Sequence, residues 1–204
     1  MDYKIFLIRL FSSIIILFLF FLFIIFFENL LFLLVAVLYI LIIYEIFTSF
    51  IKYNLSIFLY ILISFIFSQY YFFYKYDQIA FFYFLVVIIS FDTFSYIIGS
   101  FFGKKKILPN ISPKKTYLGF FGGYFFTMVN ILVFNKFLFY FTSLTKLILL
   151  TSLIIFIAFL GDIIQSIFKR QSNIKDSSNI IPGHGGIFDR LDGYILSISI
   201  LVFI

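Results

Sequence analysis

The 204-residue chain has no cysteine and no tryptophan, three prolines, a single histidine and nine acidic residues. Without cysteine there are no disulfides and no thiolate metal ligands, and with no second histidine the usual zinc donor set is missing. Charged residues make up only 12%, against roughly 25% in soluble domains. Hydrophobic residues make up 64%, with a mean hydropathy of +1.18. A water-soluble fold of this length could not hide that much apolar surface. The composition therefore predicts one all-α domain, a polytopic integral membrane helical bundle. The thirty-six phenylalanines read as lipid-facing or packing material, not as functional residues.

A helix needs about 20 apolar residues to cross a bilayer. Windows of that kind fall at 7–27, 29–50, 54–74, 78–99, 118–135 and 146–168. A final run, 193–204, is shorter, about 18 Å as a helix. It spans only by recruiting preceding residues, by local thinning of the bilayer, or with a second copy of the chain, a homodimer, completing it. About seven transmembrane helices are expected, the first an uncleaved span following Lys4 and Arg9. With the N-terminus cytoplasmic, all basic residues but Lys75, Lys136 and Lys146 fall on the inner side, as the positive-inside rule requires. That orientation predicts a protein of the cytoplasmic (inner) membrane. Its two polar loops, 100–117 and 169–192, then face the cytoplasm. Residues 1–88 carry few polar groups and read as scaffold helices, while 89–204 read as the catalytic core.

The densest polar block runs from Ser166 to Asp192. Charges in or beside a bilayer are costly and are kept mainly for function. Asp162, Gln165, Ser166 and Lys169 recur at helical spacing and form one polar stripe. Asp92, in the fourth window, and Asp162 fall at similar depths, so the two carboxylates can line one cavity open to the cytoplasm. Asp162 and Asp189 are the hard oxygen ligands that Mg²⁺ prefers. Lys169, Arg170, Lys175 and Arg190 offer positive charge to phosphate oxygens. These are the components of phosphoryl or nucleotidyl transfer, although alternating charges in a loop can also simply neutralise one another. The stretch 182–186, Pro-Gly-His-Gly-Gly, reads either as a tight turn or as a backbone bend that admits a ligand. His184 suits a general acid, a phosphate donor or a turn-stabilising hydrogen bonder.

The other loop combines Lys104, Lys105 and Lys106 with Ser112-Pro113-Lys114-Lys115-Thr116. A positive-inside anchor accounts for the first three lysines but not for the second cluster. The net charge of +6 lies between membrane windows, so anionic membrane lipid or a phosphorylated substrate is the expected partner, and nucleic acid is not.

One continuous pattern runs from Ser166 through Phe168, Lys169, Arg170, Lys175, Asp176, Ser178, Pro182, His184, Gly185, Gly186, Ile187, Asp189, Arg190 and Leu191 to Asp192. Upstream stand Asp92, Thr93 and Tyr96, then Ser112, Pro113, Lys115, Thr116 and Gly119. In these residues the chain resembles the phosphatidate cytidylyltransferase (CDP-diacylglycerol synthase) family over roughly 89–204. Gln165 and Leu118 stand where that family commonly has glutamate. The resemblance implies transfer of CMP from CTP to phosphatidic acid, giving CDP-diacylglycerol and pyrophosphate, with Mg²⁺ and a second metal ion at Asp162 and Asp189. It implies catalytic positions at Asp162, Lys169, Arg170, Lys175, Asp176, His184, Asp189, Arg190 and Asp192. Substrate contacts are implied at Asp92, Ser112, Lys115, Thr116, Ser166, Gly185 and Gly186. Rival readings are a CTP-dependent lipid kinase and a membrane transporter with Asp92 and Asp162 as coupling groups.

Overall fold

A computed structural model describes residues 26–27, 30–50, 55–138, 143–178, 180 and 185–203. The described elements are α1 (Leu31–Ser49), α2 (Leu55–Tyr70, ending in a π turn at Tyr71–Lys75), α3 (Gln78–Phe102), β1 (Lys106–Leu108), β2 (Ser112–Thr116), α4 (Tyr117–Leu138), α5 (Leu144–Gln171), a 3-10 turn (Phe188–Arg190) and α6 (Asp192–Leu201). Five of these helices, α1 to α5, are long and apolar enough to cross a membrane, and they coincide with the second to sixth predicted windows. The protein is thus an α-helical integral membrane protein. The window at 7–27 lies outside the described residues except for Phe26 and Phe27. At ten residues, about 15 Å, α6 is too short to cross unaided.

One departure from an all-helical chain is the segment expected to be a loop at 100–117. Its centre folds as an antiparallel hairpin pairing Lys106 with Thr116 and Leu108 with Ser112, with an irregular register between them. Pro109 and Asn110 supply the turn chemistry, and Ile111 N–H bonds Leu108 O across it at 3.3 Å. Strands this short and lysine-rich leave little hydrophobic alternation to read.

The chain divides into two compact units, one of Met1–Lys75 with Phe168–Leu191 and the other of Tyr76–Ile167 with Asp192–Ile204. In the first, Tyr39, Ile42, Ile57, Ile61 and Tyr71 are buried. Tyr39 hydroxyl bonds Ser64 Oγ, and Gln69 donates to the Phe32 carbonyl at 3.1 Å, so polar contacts as well as packing join α1 to α2.

In the second unit, Asp77 caps α3 by accepting from the Ile79 and Ala80 amides. α3 and α4 approach closely through glycines. A Cβ at Gly123 would lie 2.8 Å from Ser95 Cβ and 3.0 Å from its backbone N, while one at Gly119 would meet Ser95 O at 2.8 Å and Gly99 Cα at 3.0 Å. Asn130 donates to Ser90 Oγ at 2.7 Å between the same helices, and Tyr83 and Thr151 hydroxyls meet at 2.6 Å between α3 and α5. The opposite face of α4 leaves Phe121, Phe125, Val129 and Val133 exposed at four-residue spacing, a stripe suited to lipid. Because a Cβ at Gly123 would meet Ser95 Cβ, Cα and N, which move only with the α3 backbone, whereas one at Gly122 would meet the Ile98 side chain, Gly123→Ala should destabilise by about 1–3 kcal/mol and Gly122→Ala by less. Thermal melts in detergent check this, and equal shifts would contradict the close backbone contact.

Candidate functional site

The chemistry-bearing residues gather in two clusters, one in each unit. In the unit containing α3 to α6, Lys115 at the end of β2 places its Nζ 2.5 Å from Asp162 Oδ2 on α5 and 4.5 Å from the centroid of Phe159. The ring face is a second favourable surface for the ammonium. Asp92 from α3 and Asp192 at the start of α6 stand close enough to Asp162 and Lys115 for their charges to interact. Three carboxylates separated by up to 100 residues thus share one lysine, and the predicted company of Asp92 and Asp162 is present, joined by Asp192. Thr116, next to Lys115, caps α4: its Oγ1 accepts from the Gly119 amide at 3.1 Å and packs against Gly99 and Gly103. Ser112 is half-buried in β2, and Ser166 is buried on α5.

In the other unit, α5 ends where Asn173 turns left-handed, with φ of 56°. The Ile174 amide reaches back to the Lys169 carbonyl at 3.0 Å, and Arg170 folds over the same turn to donate to the Ile174 carbonyl. This cap projects Lys169 onto Asp189, Nζ to Oδ1 at 2.8 Å, with side chains only 14% and 9% exposed. Asp189 Oδ2 accepts from Ser177 N at 2.7 Å, Ser177 Oγ at 3.1 Å and Gly186 N at 3.2 Å. Gly185, at φ 85°, and Gly186 permit this approach. A Cβ on Gly186 would overlap Ser177 Oγ and stand 2.7 Å from both Glu45 oxygens. Burial alone would raise the Asp189 carboxyl, but the Lys169 hydrogen bond and charge, with the two backbone amides, outweigh it and hold the group below its ordinary value. Lys175, Asp176 and Arg190 are exposed, and His184 lies outside the described residues.

Sequence reading missed Glu45. It is completely buried on α1, within the stretch read as scaffold, and accepts from Ser177 Oγ (3.2 Å), Ser178 Oγ (2.6 Å), Ile187 N (2.7 Å) and Phe188 N (2.9 Å). A lone glutamate in an otherwise uncharged apolar helix is itself a signal, since such residues are expensive in a membrane.

Asp162 and Asp189 differ in their capacity for a cation. Among the described residues no group of three or more His, Asp or Glu side chains is arranged to hold a metal ion. Mg²⁺ needs only one or two carboxylates when phosphates and waters complete its shell. Asp162 fits that requirement: its side chain is 30% exposed and, among the described residues, its ion pair with Lys115 uses Oδ2 alone. On the same helix face, three residues on, the Gln165 amide is fully buried, and among the described residues neither Oε1 nor Nε2 has a partner. A buried amide of that kind calls for a water, an ion or a ligand. Asp189 is already saturated by Lys169 and its three other donors, so it fits a cation only by releasing one of them.

Two outcomes follow from the Asp189 geometry. Its folded-state value is lowered, so the stabilisation it contributes is full above the ordinary carboxylate range, about 3.9, and is lost as pH falls through the folded-state value. Lys169→Met leaves a buried carboxylate unpaired, which should cost about 3 kcal/mol at neutral pH and less once Asp189 protonates. The melting-temperature gap between wild type and variant should therefore narrow on acidification, whereas a gap independent of pH would contradict the pairing. Gly186→Ala should displace the turn and lower both stability and activity, and an unaffected protein would contradict the close packing.

A sequence model of the cytidylyltransferase family matches residues 48–204. The chain is 42% identical over 110 residues to a phosphatidate cytidylyltransferase of Staphylococcus epidermidis, a match covering 54% of this chain and 42% of that protein. It is 38% identical over 115 residues to the protein of that name from Bacillus subtilis (strain 168), covering 56% and 43%, respectively. With the one from Haemophilus influenzae it shares 41% over 105 residues, covering 50% and 36%. The matched stretch thus spans less than half the length of these relatives. With 48–204 covered by the family model, the chain belongs to the cytidylyltransferase family.

Proposed function

We propose that the protein transfers the cytidylyl group of CTP to phosphatidic acid, forming CDP-diacylglycerol and releasing pyrophosphate, in the cytoplasmic membrane with its polar segments facing the cytoplasm. The observation that carries this reading is the Lys115–Asp162 pair beside Asp92 and Asp192, in a stretch matched by the family. The three relatives bearing the name phosphatidate cytidylyltransferase support the choice of substrates. The orientation is supported by the lysines and arginine at the ends of α3 and α5 and on the hairpin, which favour the cytoplasmic side.

The chemistry is a displacement at the α-phosphorus of CTP. Phosphatidic acid is a phosphate monoester whose second ionisation lies near pH 6, so its oxygen is nucleophilic at neutral pH without a strong base. That oxygen forms the new bond to phosphorus as the bond to pyrophosphate breaks. The barrier lies in joining two polyanions and in stabilising the charge that leaves. Lys115 can move its charge from Asp162 to a phosphate oxygen. Within the other unit, Lys169, Arg170, Lys175 and Arg190 carry further positive charge, and arginine is able to bind phosphate bidentately. Asp162 is the side chain that would hold Mg²⁺, which would supply positive charge to offset that of the leaving group. Asp92, Ser112, Ser166 and the Gln165 amide offer polar atoms for orienting substrate. Acyl chains remain in lipid while the headgroup reaches the polar ends of the helices.

The test is incorporation of label from CTP carrying it at the α-phosphate into lipid by the purified protein with phosphatidic acid and Mg²⁺. Asp162→Asn and Lys115→Met should each lower turnover by about 100-fold or more, with helical content preserved. Turnover near wild type in both would remove these residues from the reaction.

A further inference from the structure

We infer that Glu45 is a positioning residue, one that sets the Asp189 turn from α1 through Ser177 and Ser178. It lies before residue 48, where the family match begins, so nothing in that match assigns it a role. Two features argue against an incidental contact. Its four contacts reach residues 132 to 143 positions away in sequence, so one side chain holds both the Ser177–Ser178 and the Ile187–Phe188 backbone. Each carboxylate oxygen also takes one backbone amide and meets one hydroxyl: Oε1 takes Ile187 N and Ser178 Oγ, while Oε2 takes Phe188 N and shares the single Ser177 hydroxyl proton with Asp189. A carboxylate is an acceptor at both oxygens, whereas an amide of the same shape presents donors on one side. The requirement is therefore for the acid and not merely for its volume.

Ser177 is the hinge of this arrangement. Its hydroxyl lies 3.2 Å from Glu45 Oε2 and 3.1 Å from Asp189 Oδ2, while its amide donates to Asp189 at 2.7 Å. Glu45 fixes Ser177, Ser177 and Gly186 fix Oδ2 of Asp189, and Lys169 takes Oδ1. The 3-10 turn carrying Asp189 is seated by the same side chain, because the amides Glu45 receives belong to Ile187 and Phe188. Phe188 is itself buried, its ring edge-on to Phe50 at 6.0 Å between centroids. In Glu45→Gln two of the four donors would face an NH₂ group, and the turn would lose its fixed seat. The effect on catalysis rests on the cytidylyl-transfer reading, but the effect on the turn does not.

The chain's lack of cysteine allows the two to be measured separately. Ile180 is 45% exposed, so a nitroxide on Ile180→Cys reports mobility beside Ser178 without entering the core. In full-length protein, Glu45→Gln should loosen that label and lower kcat by about 10–100-fold, the usual scale for losing a supporting hydrogen-bond partner. Glu45→Asp should recover part of both. The cycle of Glu45→Gln with Ser177→Ala should be non-additive, since both act through one hydroxyl, whereas a general loss of stability adds. If Glu45→Gln folds poorly, Ser178→Ala removes a single arm and should give the same changes more weakly. An unchanged nitroxide spectrum, a kcat within about 2-fold of wild type, or additive losses would each overturn the positioning role. A loosened label in a protein whose wild type moves no label from CTP into lipid would instead retain the seat and defeat the cytidylyl-transfer reading.

Discussion

Compensation of buried negative charge is the constraint on which the polar architecture depends. In a chain this apolar, a carboxylate away from bulk water needs donors or cations at every exposed lone pair. The two clusters meet that need differently. Asp189 and Glu45 are held by eight short contacts, most from amides and hydroxyls of one loop, and so define a rigid turn. Asp162 is paired with one lysine through Oδ2 and shares its surroundings with Asp92 and Asp192. A saturated carboxylate is suited to holding structure, and an under-compensated group of carboxylates is suited to receiving a cation with its phosphates.

Helix packing serves the same end by fixing where the charged ends emerge. The glycines of α3 and α4 let two backbones approach within van der Waals contact, which sets the ends that carry the hairpin and Lys115. Thr116 joins the two functions, capping α4 with its hydroxyl while its neighbour Lys115 reaches Asp162. Apolar surface left over on α4 faces outward, where lipid replaces protein as a partner.

Much of this was legible from residue type and spacing. The helices from Leu31 to Gln171 follow from runs of apolar residues, because span length is set by bilayer thickness and not by tertiary detail. The company of Asp92 and Asp162 was readable from their similar depth. The hairpin was not, because its strands are three and five residues long and carry lysine where a buried strand would show alternation. Nor was the pairing of each acid with its own lysine, since Lys115–Asp162 and Lys169–Asp189 depend on how helix ends are capped and turned. Glu45 escaped for a related reason: its partners are backbone amides and serines far along the chain, which have no signature in the sequence around it.

Comparing CTP labelled at the α-phosphate with CTP labelled at the γ-phosphate, in the same purified protein with phosphatidic acid, tests the proposed reaction most directly. Cytidylyl transfer predicts α-label in the lipid product and γ-label in released pyrophosphate. Label from the γ-position in lipid, or no label in lipid from either, would contradict it.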